Sequence, residues 1–176
     1  SKRLKELELV GVIRSVPTAA GLSEYVLTEA GEDLRPIIIG IGSWGQRWVD
    51  SRLSLRNLDP TLLMWDMRRN LSTDPLPPRR CTIQFVYPEL QPTHRNYWLV
   101  VESGDVDLCQ TDPGFEVDLL VTSSLRTMTS IWMGLTRLDA EVRAGRVQLD
   151  GDPAVGRSMQ AWLKLSTFAP VERRVA

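Results

Sequence analysis

At 176 residues, 43% of them hydrophobic and 24% charged, the chain is long enough for one ordinary domain or two small ones, each able to bury a core. A net charge of −1 gives it no whole-chain attraction to nucleic acid, and its longest apolar stretch, "PIIIGIGSWG", is far short of the roughly 20 residues a bilayer span needs. No basic, apolar, small-residue leader pattern precedes that stretch, so the expectation is a cytosolic protein with no membrane partner.

Charge is distributed unevenly. Residues 1–14 carry Lys2, Arg3, Lys5 and Arg14 against Glu6 and Glu8, a local balance of +2, whereas residues 102–118 hold six acids and no base. The chain opens "SKRLKELELVGVIR". Leu4, Leu7 and Val10 fall on one flank of a helix there, Lys2 and Lys5 point the other way, and Gly11 stops it. "VIRSV" and "LSEYVL", joined by "PTAAG", read as a β-hairpin. Thr28 is the expected N-cap of the next helix, with Glu29, Glu32 and Asp33 in its first turns. Pro36 either kinks that helix or opens a new one. The second option places Ile37, Ile41, Trp44 and Trp48 at i, i+4, i+7 and i+11, an apolar stripe in search of a partner surface.

Composition shifts after "SLRNLDP", which puts a domain boundary near Asn57: residues 1–57, then 58–176. Asp59-Pro60 starts a helix over "TLLMWDMRRNL" that "STDPLPPRR" breaks. Strands follow in series. Cys81, Ile83, Phe85 and Tyr87 alternate with Thr82, Gln84 and Val86; "YWLVVE" and "DVDLCQ" flank a Ser-Gly turn; Phe115, Val117, Leu119 and Val121 face away from Glu116 and Asp118. Helices come next, with a stripe Leu125, Met128, Trp132, Leu135, a short segment "RLDAEVRAG" closed by Gly145, and, after a last strand "RVQLDG", a helix from Asp152-Pro153 carrying Val155, Met159 and Trp162. The fold class is therefore α+β: a hairpin-bearing helical segment, then a mostly antiparallel sheet with helices grouped on it.

The order of basic helix, hairpin and helix starting "LTEAG" is that of the back half of a winged helix-turn-helix. "Lys2-x-Leu4-x-Glu6-Leu7" and "Tyr25-x-Leu27-Thr28-x-x-Gly31" closely resemble the HxlR-type winged-helix transcriptional regulators over residues 1–48. "LLMWDMRR", "YWLVVESGDVDLCQTDPGFEVDLLVTSSLRTMTSIWMG" and "AGRVQLDG" resemble the sterol-carrier-protein-like domain that some members carry, from about Leu58 to Ala169. The resemblance implies that the early helices and the front of the recognition helix lie ahead of Ser1. It implies double-stranded DNA as partner, with Ser1, Lys2, Arg3 and Lys5 at groove or phosphate and Arg14 with the "SVPTAAG" turn as the wing. It implies a homodimer through Ile37, Ile41, Trp44 and Trp48, and a hydrophobic small-molecule effector in a cavity between sheet and helices. Candidate lining residues are Phe85, Trp98, Val100, Phe115, Val117, Leu119, Trp132 and Met133, all of which could equally be core, as could Met128 and Met159.

Signals for catalysis are weak. Cys81 and Cys109, 28 positions apart, and the single His94 suggest buried thiols and a loop histidine rather than a disulfide or zinc set. Asp105-x-Asp107 fails as a calcium loop, because Cys109 and Gln110 stand where an oxygen ligand and a glycine are needed. Glu116 and Asp118 read as a solvated strand face. "GIGSWG" lacks a P-loop lysine and lies in a helical pattern, where its glycines suggest close helix packing. No catalytic residue, metal or cofactor is expected, and the chain is read as no enzyme. The functional readings are a ligand-responsive DNA-binding regulator, a hydrophobic-molecule carrier with no direct DNA role, and an enzyme built in the cavity, in that order.

Overall fold

The computed structural model describes residues 2–18, 23–51 and 55–175, and chain contacts divide it into two units, Ser1–Trp48 and Val49–Ala176. The composition change near Asn57 thus falls inside the second unit.

In the first unit, α1 (Lys2–Leu9) ends at Gly11, whose φ of +75° lies in the left-handed region that favours glycine. β1 (Ile13–Pro17) and β2 (Ser23–Leu27) pair antiparallel, in register from Ile13 opposite Leu27 to Pro17 opposite Ser23. α2 (Glu29–Trp48) then runs unbroken for 20 residues with Pro36 inside it. No new helix opens at Pro36. The proline withholds the one amide that the Glu32 carbonyl would accept, and the surrounding turns carry the helix past that gap.

In the second unit, α3 spans Pro60–Asn70. The Asp59 carboxylate accepts the N–H groups of Thr61 at 2.8 Å and Leu62 at 3.1 Å, and Pro60 takes the first helical position, where its missing amide costs nothing. A five-stranded sheet follows: β3 (Cys81–Val86), β4 (Asn96–Glu102), β5 (Asp105–Cys109), β6 (Leu119–Ser123) and β7 (Val147–Gly151), in the order β5-β4-β3-β6-β7. β3 and β6 pair parallel; the other neighbours pair antiparallel. Between β3 and β4 lies the single turn α4 (Pro92–Arg95), which carries the exposed His94. Ser103 and Gly104, with φ of 53° and 88°, make the tight β4–β5 turn.

Alternation decides which face is which. Cys81, Ile83, Phe85, Tyr97, Leu99, Val101, Leu119 and Val121 turn one way into a single core with Met64 and Met67 of α3, Met128 and Ile131 of α5 (Leu125–Trp132), Leu138 of α6 (Leu138–Arg143), Val155 of α7 (Pro153–Arg157) and Trp162 of α8 (Met159–Leu163). The sequence predicts one helix from Asp152-Pro153, but two form. The Val155 carbonyl is taken by the Trp162 indole N–H at 2.9 Å and the Ser158 hydroxyl at 3.1 Å, which ends α7 and starts α8.

Because β5 and β6 are parallel, the segment 110–118 must travel the length of the sheet to join them. Here the expected strand from Phe115 is shorter than its alternation suggests: pairing starts at Leu119, and Phe115 lies 4.0 Å beneath the Arg80 guanidinium, which is in turn paired with Glu102 at 3.0 Å. Asp118 is no solvated acid. Its side chain is 14% exposed; Oδ1 accepts from Arg79 at 2.6 Å and Oδ2 from the Thr82 N–H at 2.8 Å. Its backbone N–H donates to the Thr82 carbonyl at 2.9 Å, and its carbonyl accepts from Asp152 N–H at 2.7 Å. Gly151, at φ +127°, is required beside it, since a Cβ there would lie 2.2 Å from the Asp118 carbonyl oxygen. Along the open edge of β5, Arg68 Nε of α3 donates to the Val106 carbonyl at 2.6 Å. Among the described residues no helix is long and apolar enough to cross a membrane.

Asp118→Asn is expected to destabilise the chain by about 2 kcal/mol, because the amide must turn an N–H toward either Arg79 or the Thr82 N–H. Denaturant unfolding checks this; a midpoint shift within error would show that the cluster is not structural.

Candidate functional site

The first unit is tied together at Thr28. Its backbone N–H donates to the Val12 carbonyl at 3.1 Å, its hydroxyl donates to the Gly11 carbonyl, and the same oxygen accepts from Gly31 N–H at 3.2 Å. One side chain thus caps α2 and holds the exit of α1. Gly31 lets the helix come this close, because a Cβ there would sit 2.1 Å from the Val12 carbonyl oxygen. Glu8 of α1 also accepts the Ser15 N–H of β1 at 3.1 Å. Basic helix, hairpin and following helix therefore hold one arrangement.

The cations expected at DNA stand on this frame. Lys2 is 91% exposed and meets Glu6 at 3.9 Å, an i,i+4 pair of little energetic weight. Arg3 and Lys5 are exposed on α1, and Arg14 is exposed on β1 with the neighbouring Ile13 turned inward and buried. Ser1 and the "AAG" of the candidate wing turn, residues 19–21, lie outside the described residues.

The α2 stripe is more extensive than its four expected members. Ile37, Ile41, Trp44 and Trp48 are 57%, 61%, 61% and 50% exposed, and Leu34 and Ile38 extend the same face. At about 100° per residue these six cover an arc of roughly 120°. Nothing approaches within 4 Å of where a Cβ would stand at Gly40 or Gly45, so those glycines are not sites of close packing in this structure.

The eight expected lining residues do not come together. Phe85 and Leu119 face the helical core, where Trp132 also packs. Trp98 and Val100 are even-numbered residues of β4 and lie on the opposite face, and Phe115 is with Arg80. Val117 is half-buried in the crossover segment before β6. Residues on two faces of one sheet cannot line one cavity. Alternation reports that strand residues are buried, not which side of the sheet buries them.

Trp132 and Met133 do share a cleft, of about 360 Å³, with Leu58, Leu62, Asp66 and Phe168. The Trp132 indole N–H donates to Asp66 Oδ2 at 2.9 Å, which fixes the ring as one wall. No local pattern in the sequence joins Leu58, Leu62 and Phe168 to Trp132, since the cleft brings together the start of α3, the end of α5 and the C-terminal segment across more than a hundred positions. A signal did exist. "TLLMW" is apolar around more of the helix than one core stripe needs, and Leu62 is 67% exposed. Burial pushes the Cys81 thiol up to about 11, which disfavours its thiolate, and Cys109 is half-buried on β5.

Residues 1–53 match the family model of the HxlR-like helix-turn-helix. The chain is 44% identical over 52 residues to an HTH-type transcriptional regulator of Bacillus subtilis (strain 168), YvaP; the match takes in 28% of this chain and 48% of that protein, so the chain spans about half the length of this relative. Among solved structures, a double mutant of the sec-alkyl sulfatase PisA1 is similar at a TM-score of 0.52 and 21% identity, over 66% of this chain and 18% of that one. Sterol Carrier Protein 2 Like 2 from Aedes aegypti is similar at a TM-score of 0.42 and 16% identity, over 57% of this chain and 93% of that one. Residues 1–53 are thus similar to the HxlR-like helix-turn-helix.

Gly31→Ala is expected to cost about 2 kcal/mol or more, since backbone must move to accept the methyl group. Thermal or denaturant unfolding measures it; a Gly31→Ala chain as stable as the original would show that the α2 approach is looser than described.

Proposed function

We propose that this chain is part of a DNA-binding transcriptional regulator that binds a hydrophobic small molecule in its second unit. The observation that carries the DNA half is the locked arrangement of α1, β1–β2 and α2 with Arg3, Lys5 and Arg14 all exposed. A groove-seated helix backed by a phosphate-touching wing needs cations on a rigid frame. The HxlR-like match over residues 1–53 agrees with that reading. The uncovered α2 stripe supports a homodimer, because six large apolar side chains on one helix face are costly to leave in water. A two-fold pair of units suits a palindromic operator with half-sites about one helical turn apart.

The ligand half is supported by the cleft beside Trp132. Its walls are aliphatic and aromatic, with Asp66 as a fixed polar point, the composition expected of a small-molecule site. An effector there acts on DNA binding only if it prefers one dimer arrangement over another.

Two measurements test these halves. Binding of the intact protein to DNA from its own upstream region should weaken with salt, and Lys5→Ala and Arg14→Ala should each lower the slope of log affinity against log salt by about one. No specific site in that DNA would sink the regulator reading. 1-Hexadecanol and other neutral long-chain ligands should raise the thermal midpoint saturably, and Met133→Trp should abolish the rise by filling the cleft. A flat response across a chemically broad panel would show a filled core instead.

A further inference from the structure

A separate cleft of about 460 Å³ opens between α6, β7, α7 and the start of α8. Its inner side is apolar, with Leu138 buried, Leu149 half-buried and Val142 at the margin; Arg137, Arg143 and Arg157 stand around it. Among the described residues the one acid in the lining is Asp139, and it is already shared. Arg137 Nε lies 2.9 Å from its Oδ1, and Arg143 Nη2 lies 3.3 Å from its Oδ2. Arg157 has no hydrogen-bond or ion-pair partner among the described residues. Three guanidiniums against one carboxylate leave this lining at +2, on a chain whose net charge is −1.

We propose that this cleft is a second ligand site, for a small organic anion with an apolar body: a carboxylate, sulfonate or phosphate monoester head on a short aliphatic or aromatic tail. The chemistry selects against each half alone. Inorganic phosphate gains the guanidinium contacts but nothing from Leu138, Val142 and Leu149. A neutral alcohol gains the apolar floor but leaves the arginines without the planar, two-oxygen partner their forks fit. A ligand with both parts places its tail on the leucines and its head at Arg157, the guanidinium with nothing to give up, while Arg137 and Arg143 relax from Asp139 toward the new charge. The volume suits a medium-chain molecule rather than a polymer. The Gln160 side-chain amide, also in the lining, offers a further donor.

The test uses decanoate as probe, titrated calorimetrically into the original chain and into Met133→Trp, whose Trp132 cleft is filled, with 1-decanol and inorganic phosphate as controls on Met133→Trp. Decanoate should bind more tightly than either control. Arg157→Gln should weaken it about tenfold, the scale of one charge-assisted hydrogen bond. Val142→Asp should weaken it at least as much by placing a carboxylate on the apolar floor that takes the tail. Asp139→Asn should do the opposite and tighten it about threefold, by freeing two arginines from a competing anion. All three positions are exposed, so unfolding midpoints should stay near the original, and Met133→Trp in the other cleft should leave decanoate binding here unchanged. If Arg157→Gln and Asp139→Asn both leave affinity unchanged, or if decanol binds as well as decanoate, the proposal is overturned. If Met133→Trp abolishes decanoate binding, the anion belongs to the Trp132 cleft and the second site does not exist.

Discussion

A parallel strand pair cannot inherit its register from a tight turn, because its strands are joined by a long connection. In the second unit that problem falls on β3 and β6, and Asp118 meets it. Both the backbone amide and one carboxylate oxygen of Asp118 hold Thr82, one position before Ile83 and Leu119 begin to pair. The other carboxylate oxygen takes Arg79, and the carbonyl takes Asp152 as the chain leaves β7. Three strands, β3, β6 and the exit of β7, are thus aligned on one residue. With this junction set, the odd positions of β3 and β6 face the same way, and the core against α3, α5 and α8 follows.

The first unit solves a comparable problem with fewer atoms. Its helices bury little of their own surface: α1 has no buried residue, and α2 buries only Gly31 and Gln46. Hydrogen bonds at Thr28 and the absence of a side chain at Gly31 therefore carry much of what fixes its geometry. Such a frame leaves cations and a large apolar face exposed.

Local chemistry was readable from the residues: the Asp59-Pro60 helix start, the Gly11 and Gly145 stops, the Ser-Gly turn and the α+β order all follow from propensities acting over a few positions. What was not readable depends on the third dimension. Phe115 and Val117 continue the alternation of β6, yet they belong to a crossover, because pairing ends where Asp118 turns to Thr82. Trp98 and Phe85 are both buried and both aromatic, but the sheet lies between them. Asp118 looks like any acid on a strand until Arg79, 39 positions away, is brought to it. The Trp132 cleft is joined by no local pattern in the sequence for the same reason: Leu58 and Phe168 meet only after the whole unit has folded.

The contact of Arg68 with the rim of β5 reaches beyond local packing. A sheet ending in free carbonyl and amide groups offers a template on which a foreign strand can add, and growth of that kind ends in fibres. Here a guanidinium occupies the Val106 carbonyl, and the exposed acids Asp105 and Asp107 line the same rim. An incoming backbone must displace a cation and then lie along a row of negative charge. This edge of the sheet is thus a poor template for strand addition, whereas the apolar face of α2 in the first unit stays exposed.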